Sequence, residues 1–233
     1  MELVIDIETV SNQKSFEVLD ASLQKLWEHK ASYLKLTEAE QAGSELSYFN
    51  HAGIYAEFGK IICIGIGFIQ EKDELVRVKM IANHNEQQLL TEFFELIKEL
   101  EAKSNSNVVF CGHNIKEFDL PYICRRALVH KLSLPKSLEL SGLKPWQILH
   151  QDTLELWRFG DYKHYTSLDL LAHILGVPSS KTDIDGSEVN SVYWLENDLK
   201  RISEYCGRDI YTTALVYLRL KGKSCAHFKP VYL

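Results

Sequence analysis

Leu3-Val4-Ile5-Asp6-Ile7-Glu8-Thr9-Val10, close to the N-terminus, alternates apolar with acidic residues, which is the pattern of a β-strand. Asp6 and Glu8 are two residues apart, so their side chains point to the same face of a sheet. Burying two carboxylates on one face is costly unless a cation compensates their charge, and such hard oxygen ligands favour Mg²⁺ or Mn²⁺. The pair also fits a strand end that faces water, because about four acidic pairs with this spacing are expected by chance.

The residues that follow predict a sheet that mixes antiparallel and parallel strands. Ile61–Phe68 is apolar throughout, as in a strand buried on both faces, and Leu75–Ile81 alternates as in a half-exposed strand. Three consecutive strands at this spacing indicate an antiparallel meander. The chain then alternates a short strand at 108–111 with helices that begin near Asn85, Asp119, Ser167 and Leu199. This order predicts an α/β fold with a mixed sheet.

Length and composition indicate one globular domain over residues 1–233, with a poorly periodic helical insertion at about 11–55. The chain has 45% apolar and 25% charged residues, which excludes a disordered tail and a small disulfide scaffold. Its longest apolar run, Ile61–Ile69, is too short to cross a bilayer, and its acidic N-terminus does not resemble a signal peptide. Five cysteines without a CxxC pair favour a reduced, cytoplasmic protein with no membrane partner.

The net charge of −6 by itself argues against a nucleic-acid partner, because binding to phosphates usually shows as an excess of basic residues. The charge is uneven, however, since residues 199–233 carry seven basic and two acidic side chains. This basic segment is expected to flank a groove for a polyanionic substrate.

Two further groups of polar residues follow apolar elements. Asn114, Phe118 and Asp119 come directly after the short fourth strand, where sites commonly assemble in α/β sheets. Tyr205 and Asp209 are four residues apart on the last helix and share one face. Each group has a structural alternative. Asp119 could simply cap the following helix, and Tyr205 could be a core aromatic while Asp209 faces solvent.

The ordered set resembles the three exonuclease motifs of the DEDD superfamily of 3′–5′ exonucleases, in its tyrosine-bearing branch: Asp6-Ile7-Glu8-Thr9, then Asn114-x-x-x-Phe118-Asp119, then Tyr205-x-x-x-Asp209. It is similar in particular to the proofreading exonuclease domain of family B DNA polymerases and to stand-alone bacterial proteins predicted to be of that kind. Further similarity lies at Tyr55–Ile61, Asp152–Trp157 and Lys181–Gly186. The resemblance spans nearly the whole chain and is weakest at 11–50. It implies an RNase H-like fold, with a mixed five-stranded sheet flanked by helices, in which an antiparallel meander is followed by parallel strands.

The resemblance also implies the chemistry. Two divalent cations, Mg²⁺ or Mn²⁺, would activate a water and balance the charge on the leaving 3′-oxygen. Asp6 would bridge both ions, Glu8 and Asp209 would complete the site of the nucleophile, and Asp119 would serve the second ion. Tyr205 would orient the attacking water.

The resemblance also implies three residues as substrate contacts. Thr9 would approach the terminal nucleotide, Asn114 would hydrogen-bond near the 3′ end, and Phe118 would stack on a base. Packing under the helix is an equally good account of Phe118. Lys181 could reach a phosphate or be an ordinary exposed lysine. Asp152 is expected to bond to backbone near a strand end rather than to join the site.

These residues predict a two-metal-ion 3′–5′ exonuclease that hydrolyses single-stranded or frayed 3′ ends of DNA to nucleoside 5′-monophosphates. An exoribonuclease is one alternative, and a non-catalytic nucleic-acid-binding module with the same fold is another. The sequence contains no GxxxxGK[ST] or GxGxxG motif, and its Cys/His pairs lack partners at zinc-site spacing. A polymerase or repair partner in trans is left open.

Overall fold

The computed structural model describes residues 1–161, 163–180 and 183–233, and within these ranges it contains one sheet of six strands. The strands, in chain order, are β1 (Glu2–Ser11), β2 (Gly59–Gln70), β3 (Leu75–Ala82), β4 (Val109–Gly112), β5 (Gln151–Asp152) and β6 (Lys229–Tyr232). Their order across the sheet is β5-β4-β1-β2-β3-β6. The strand that carries Asp6 and Glu8 is therefore an inner strand, with a neighbour on each side.

The sheet combines an antiparallel meander with parallel strands, as predicted. β1 pairs antiparallel with β2, and β2 with β3, whereas β4 runs parallel to β1 and β5 parallel to β4. The predicted number of five strands is wrong, because β6 adds a sixth strand, parallel to β3, at the outer edge. This strand is only four residues long, contains Pro230 and buries none of its side chains. Its sequence therefore lacks the alternation of apolar and polar residues that would identify a strand.

Helices cover the sheet and connect its strands. They are α1 (Ala21–Ala31), α2 (Glu38–Gln41), α3 (Ser44–His51), α4 (Glu86–Ser104), α5 (Asp119–Val129), α6 (Thr153–Arg158), α7 (Leu168–Leu175), α8 (Val189–Ser191) and α9 (Leu199–Leu220). The four helices predicted from the sequence correspond to α4, α5, α7 and α9. Three of these begin after a side chain that accepts a hydrogen bond from the first turn, namely Asn85, Ser167 and Asp198. In the described part of the chain, no helix combines the length and the apolar character needed to cross a membrane.

β1 separates two apolar layers. On one face Leu3, Ile5 and Ile7 pack with residues of α4 and α5 in the largest core cluster. On the other face Val4 packs with residues of α7 and α9. Because side chains alternate along a strand, Asp6 follows Val4 on the face that α9 covers.

Two glycines of β2 let α9 approach the sheet closely. Gly65 lies opposite Asp6, and Gly67 lies opposite Val4. A β-carbon at either position would lie 2.6 Å from a side-chain carbon of Ile210 on α9, which is closer than two carbon atoms can pack. The absence of side chains at these two positions therefore brings α9 against the acidic face of β1.

Between β1 and β2 the chain folds into α1, α2 and α3 around a small apolar cluster. Trp27 and Tyr48 are fully buried, and their ring centroids lie 5.3 Å apart with nearly perpendicular planes. The Trp27 indole Nε1 donates a hydrogen bond to Ser47 Oγ at 3.2 Å. The segment is thus largely helical, while its status as an insertion within a single domain stays a prediction.

Candidate active site

Asp6 and Glu8 lie side by side on the face of β1 that α9 covers. A carboxylate oxygen from each and the Sγ atom of Cys206 on α9 all lie within 4.8 Å of one another. Cys206 Sγ donates a hydrogen bond to Asp6 Oδ2 at 3.4 Å. Glu8 is only 7% exposed. The pair is therefore enclosed between the sheet and α9 rather than displayed on a free strand end.

Asp119 reaches the same point from α5. It is the first residue of that helix and only 3% exposed. Its Oδ1 atom accepts a hydrogen bond at 3.0 Å from the backbone N–H of Ile7, the residue between Asp6 and Glu8. Asp119 is thus tied directly to β1, so helix capping alone does not account for it.

Tyr205 and Asp209 complete the cluster from α9. Both are buried, and the Tyr205 hydroxyl hydrogen-bonds to Asp209 one helical turn later. The charge of Asp209 contributes to raising the pKa of both Asp6 and Glu8, so the three carboxylates are close neighbours. The shared helix face predicted from their spacing is what brings Tyr205 and Asp209 to β1 together.

Burial and mutual repulsion raise the pKa values of these groups. Burial is the main cause of the pKa of Asp6 and of Glu8 lying well above the usual range, and the neighbouring carboxylates add to it. Burial also raises the pKa of Asp119 to about 7, with Asp209 among the charges that contribute. The pKa of Tyr205 is raised by burial and then by the surrounding carboxylates. Ionising these carboxyl groups together therefore requires a compensating positive charge.

This set of groups fits divalent cations. Within residues 1–161, 163–180 and 183–233, no lysine or arginine forms an ion pair with Asp6, Glu8 or Asp119. Buried carboxylates need a positive partner, and hard oxygen ligands select Mg²⁺ or Mn²⁺. The residues that could hold such ions are Asp6, Glu8, Asp119 and Asp209.

Two of the three expected substrate contacts line a cavity of about 480 Å³ beside the cluster. Thr9 and Phe118 share its wall with Glu8, whereas Asn114 is not among the described residues that line it. Phe118 also packs against the large core cluster, so both accounts of this residue agree with its position. The expected contact of Lys181 with a phosphate lies outside the described residues.

Asp152 shapes the loop that carries Asn114. Asn114 has a φ of 64°, in the left-handed region, and its backbone N–H donates to Asp152 Oδ1 at 2.9 Å. The same oxygen accepts from the N–H of Leu154 at 2.9 Å, and Oδ2 accepts from the N–H of Lys116 at 3.1 Å. Asp152 ends β5. The prediction that it bonds to backbone near a strand end is therefore confirmed.

Cys206 is the residue in the cluster to which the sequence analysis assigned no role. Burial is the main cause of the raised pKa of its thiol, which therefore stays protonated and can donate to Asp6. A signal was present in the sequence, because Cys206 and Asp209 are three residues apart and so lie on one helix face.

The basic segment 199–233 is not gathered beside the acidic cluster. Lys221 and Lys223 line a separate cavity with Glu2, at the opposite end of β1. Arg201 already forms ion pairs with two acidic side chains. These three residues lie in other surroundings, and the expectation that the basic segment flanks the substrate groove stays a prediction.

Comparison with known proteins identifies the family. A family described as predicted 3′–5′ exonucleases related to the exonuclease domain of PolB matches residues 54–227. No curated protein matches the chain. The family B DNA polymerase from the hyperthermophilic archaeon Pyrobaculum calidifontis is similar in structure, with a TM-score of 0.55 and 15% identity over 94% of this chain. The chain spans 24% of the length of that polymerase, and the likeness supports the RNase H-like fold. Since the family match covers most of the sequence, the chain belongs to the family of predicted 3′–5′ exonucleases related to the exonuclease domain of PolB.

Proposed function

We propose that this protein is a two-metal-ion 3′–5′ exonuclease that hydrolyses single-stranded or frayed 3′ ends of DNA to nucleoside 5′-monophosphates. The observation that carries the proposal is a cluster of carboxylates: Asp6 and Glu8 lie side by side, Asp119 bonds to the backbone between them, and Asp209, beside Tyr205, is close enough to raise their pKa. A purely structural role would pair buried acids with basic groups rather than with one another, because an uncompensated buried charge is strongly destabilising.

The roles of the residues follow from their positions. When bound, two divalent cations supply an activated water and charge compensation for the leaving oxygen. Asp6, Glu8, Asp119 and Asp209 would hold these ions. Tyr205 lies one turn before Asp209 and keeps its proton, because burial raises its pKa. Its hydroxyl would exchange the bond to Asp209 for one to the attacking water and so orient that water.

The same geometry supports a dependence of the proposed activity on metal. A phosphodiester carries a negative charge, and the cluster presents four carboxylates to it. Without cations the cluster would repel the substrate that it is proposed to cleave. We therefore expect activity to require the divalent ion rather than merely to be enhanced by it.

The test is a degradation assay on 5′-labelled oligonucleotides of one sequence, as DNA and as RNA, with Mg²⁺, Mn²⁺ or EDTA. We expect a ladder that shortens from the 3′ end of the DNA, nucleoside 5′-monophosphate as the product, and no cleavage in EDTA. Faster cleavage of the RNA would favour an exoribonuclease.

A calorimetric titration with Mn²⁺ separates the enzyme from a non-catalytic module. Absence of both cleavage and binding heat would contradict the proposal, because the carboxylate cluster would then hold no metal. A protein in which Asp6 is replaced by Asn serves as the control for heat that arises elsewhere on the surface.

A cytoplasmic location also stays a prediction. All five cysteines are free thiols, three of them buried, which agrees with a reducing compartment. The same degradation assay, run with a polymerase or a repair protein added, tests whether the protein acts with such a partner in trans.

A further inference from the structure

The cavity of about 480 Å³ beside the carboxylate cluster has a lining suited to a nucleoside. Its apolar walls include Phe49, Ile54 and Phe118, and hydroxyl and amide side chains lie between them. Glu8 is the one acidic residue among its described lining residues, which include no lysine or arginine. Such a lining suits an uncharged ring with hydrogen-bonding edges better than it suits a phosphate.

One wall of this cavity, the segment 49–56, runs from the last turn of α3 towards β2 and is held by several hydrogen bonds. Three side chains from α5 and α8 each donate a hydrogen bond to a backbone carbonyl of the segment. The bonds are Asn190 Nδ2 to Phe49 O (2.7 Å), Tyr122 Oη to Gly53 O (2.9 Å) and Arg126 Nη1 to Ala56 O (2.9 Å). A wall fixed in this way need not be ordered when a ligand binds, which lowers the entropic cost of binding.

The same anchors also hold β1 just beyond Glu8. Asn190 Oδ1 accepts a hydrogen bond from the backbone N–H of Ser11 at 2.9 Å. The side chain of Thr9 hydrogen-bonds to Tyr122. The distance between the wall and the carboxylate cluster is therefore set by shared side chains.

We propose that Phe49 and Ile54, which line this cavity, pack on the base of the 3′-terminal nucleoside across from Phe118. The inference rests on the proposed exonuclease function and adds the residues that recognise the chain end. Because Glu8 belongs to both the cavity and the cluster, a nucleoside seated here has its attached phosphate beside the carboxylates. The helical segment before β2 thus supplies part of the substrate site.

The test uses a DNA oligonucleotide with 2-aminopurine as its 3′-terminal base and a phosphorothioate at the last linkage to slow cleavage. We expect the full-length protein with Mg²⁺ to quench this base more than the same base placed six nucleotides from the end. Phe49→Ala and Ile54→Ala should reduce the quenching and raise KM about tenfold, the effect of losing one contact with a base. Ile54→Trp, which fills the cavity, should act in the same direction.

Leu46→Ala is the matched control, because Leu46 is exposed on α3 and does not line the cavity. Ile54 is 53% exposed, so its variants should fold even if Phe49→Ala does not, and thermal melting checks each one. If all variants match Leu46→Ala in quenching and KM, the inference is overturned while wild-type activity still supports the proposed function. If the wild type cleaves nothing, the proposed function fails, and the quenching measurement still decides whether a terminal base enters the cavity.

Discussion

Two groups of buried acids lie on the two sides of the sheet, and they are built in opposite ways. On the side of α4 and α5, Glu86 is 5% exposed and accepts hydrogen bonds from three groups. These are the backbone N–H of Ile61 at 2.7 Å, the guanidinium of Arg126 at 2.5–3.0 Å and the Nε2 atom of His130 at 2.7 Å. On the side of α9, the carboxylates of Asp6, Glu8 and Asp209 face one another.

The difference shows that this fold can pair a buried acid with a basic group where the pair joins two packed helices. Glu86 and Arg126 join α4 to α5, and both also bond to backbone around the start of β2. On the α9 side, no lysine or arginine among the described residues pairs with Asp6 or Glu8, whose pKa values are raised by burial and by their neighbours. Raised pKa values of this kind concentrate at functional sites, where stability is given up for activity.

The largest effect should come from Asp6→Asn. We expect an activity loss of about ten-thousandfold, because one of the residues proposed to hold the metal ions is removed. The melting temperature of the metal-free protein at pH 8 should stay the same or rise, because one repelling charge is gone. Nuclease assays and thermal melting measure the two effects. Glu204→Gln, an exposed acid on α9, is the control, and wild-type activity in Asp6→Asn would contradict the role of the cluster.

Arg126→Met, in contrast to Asp6→Asn, should lower the stability of the protein. It leaves Glu86 buried without its main partner, so the free energy of unfolding should fall by about 3–5 kcal/mol. Urea unfolding measures the loss. The double variant Glu86→Gln/Arg126→Met removes the charge as well and should recover part of it. A loss below about 1 kcal/mol in the single variant would show that the Glu86 cluster is not compensated as described.

Tyr205→Phe should separate orientation of the water from metal binding. Loss of the hydroxyl should lower kcat about 10- to 100-fold, because the attacking water loses one positioned donor. The affinity for Mn²⁺, measured by calorimetry, should be unchanged, since no metal ligand is removed. A parallel loss of metal affinity would mean that Tyr205 supports the cluster rather than the water.

The smallest effect should appear in the pH dependence of stability. A carboxyl group with a higher pKa in the folded state binds its proton more tightly when folded. For Asp119, with a pKa of about 7, the resulting stabilisation is present at low pH and is lost as the pH rises through that value. Between pH 5.5 and 8.5 the metal-free wild type should lose about 5 °C more in Tm than Asp119→Asn does. Equal losses in the two proteins would contradict the raised pKa.

Much of the fold could be predicted from the sequence where local patterns and tertiary packing agree. α9 begins at Leu199 as predicted, because its apolar spacing is regular and Asp198 caps its start. β6 could not be predicted, because pairing with the edge of β3 defines it rather than any pattern in its own four residues.

The candidate site likewise has a part that the sequence predicts and a part that it does not. The faces shared by Asp6 with Glu8, and by Tyr205 with Asp209, follow from the periods of a strand and a helix. The cavity wall at Phe49 and Ile54 could not be predicted, because side chains distant in sequence position it through backbone carbonyls, which every residue has. The surroundings of Lys221 and Arg201 could not be predicted either, because composition gives the number of charges and not the direction in which each points.

Gly65 and Gly67 of β2, which lie under α9, are positions where even a small side chain would disturb the site. Catalysis by positioning is sensitive to errors of about 1 Å, which can cost about a hundredfold in rate. A single methyl group at position 65 would meet Ile210 and Cys206 and force α9 outward. Gly65 bears no functional group, yet substitution there displaces the helix that carries Tyr205 and Asp209. At positions 65 and 67, the space between β2 and α9, rather than the chemistry of the side chain, determines which residues the protein accepts.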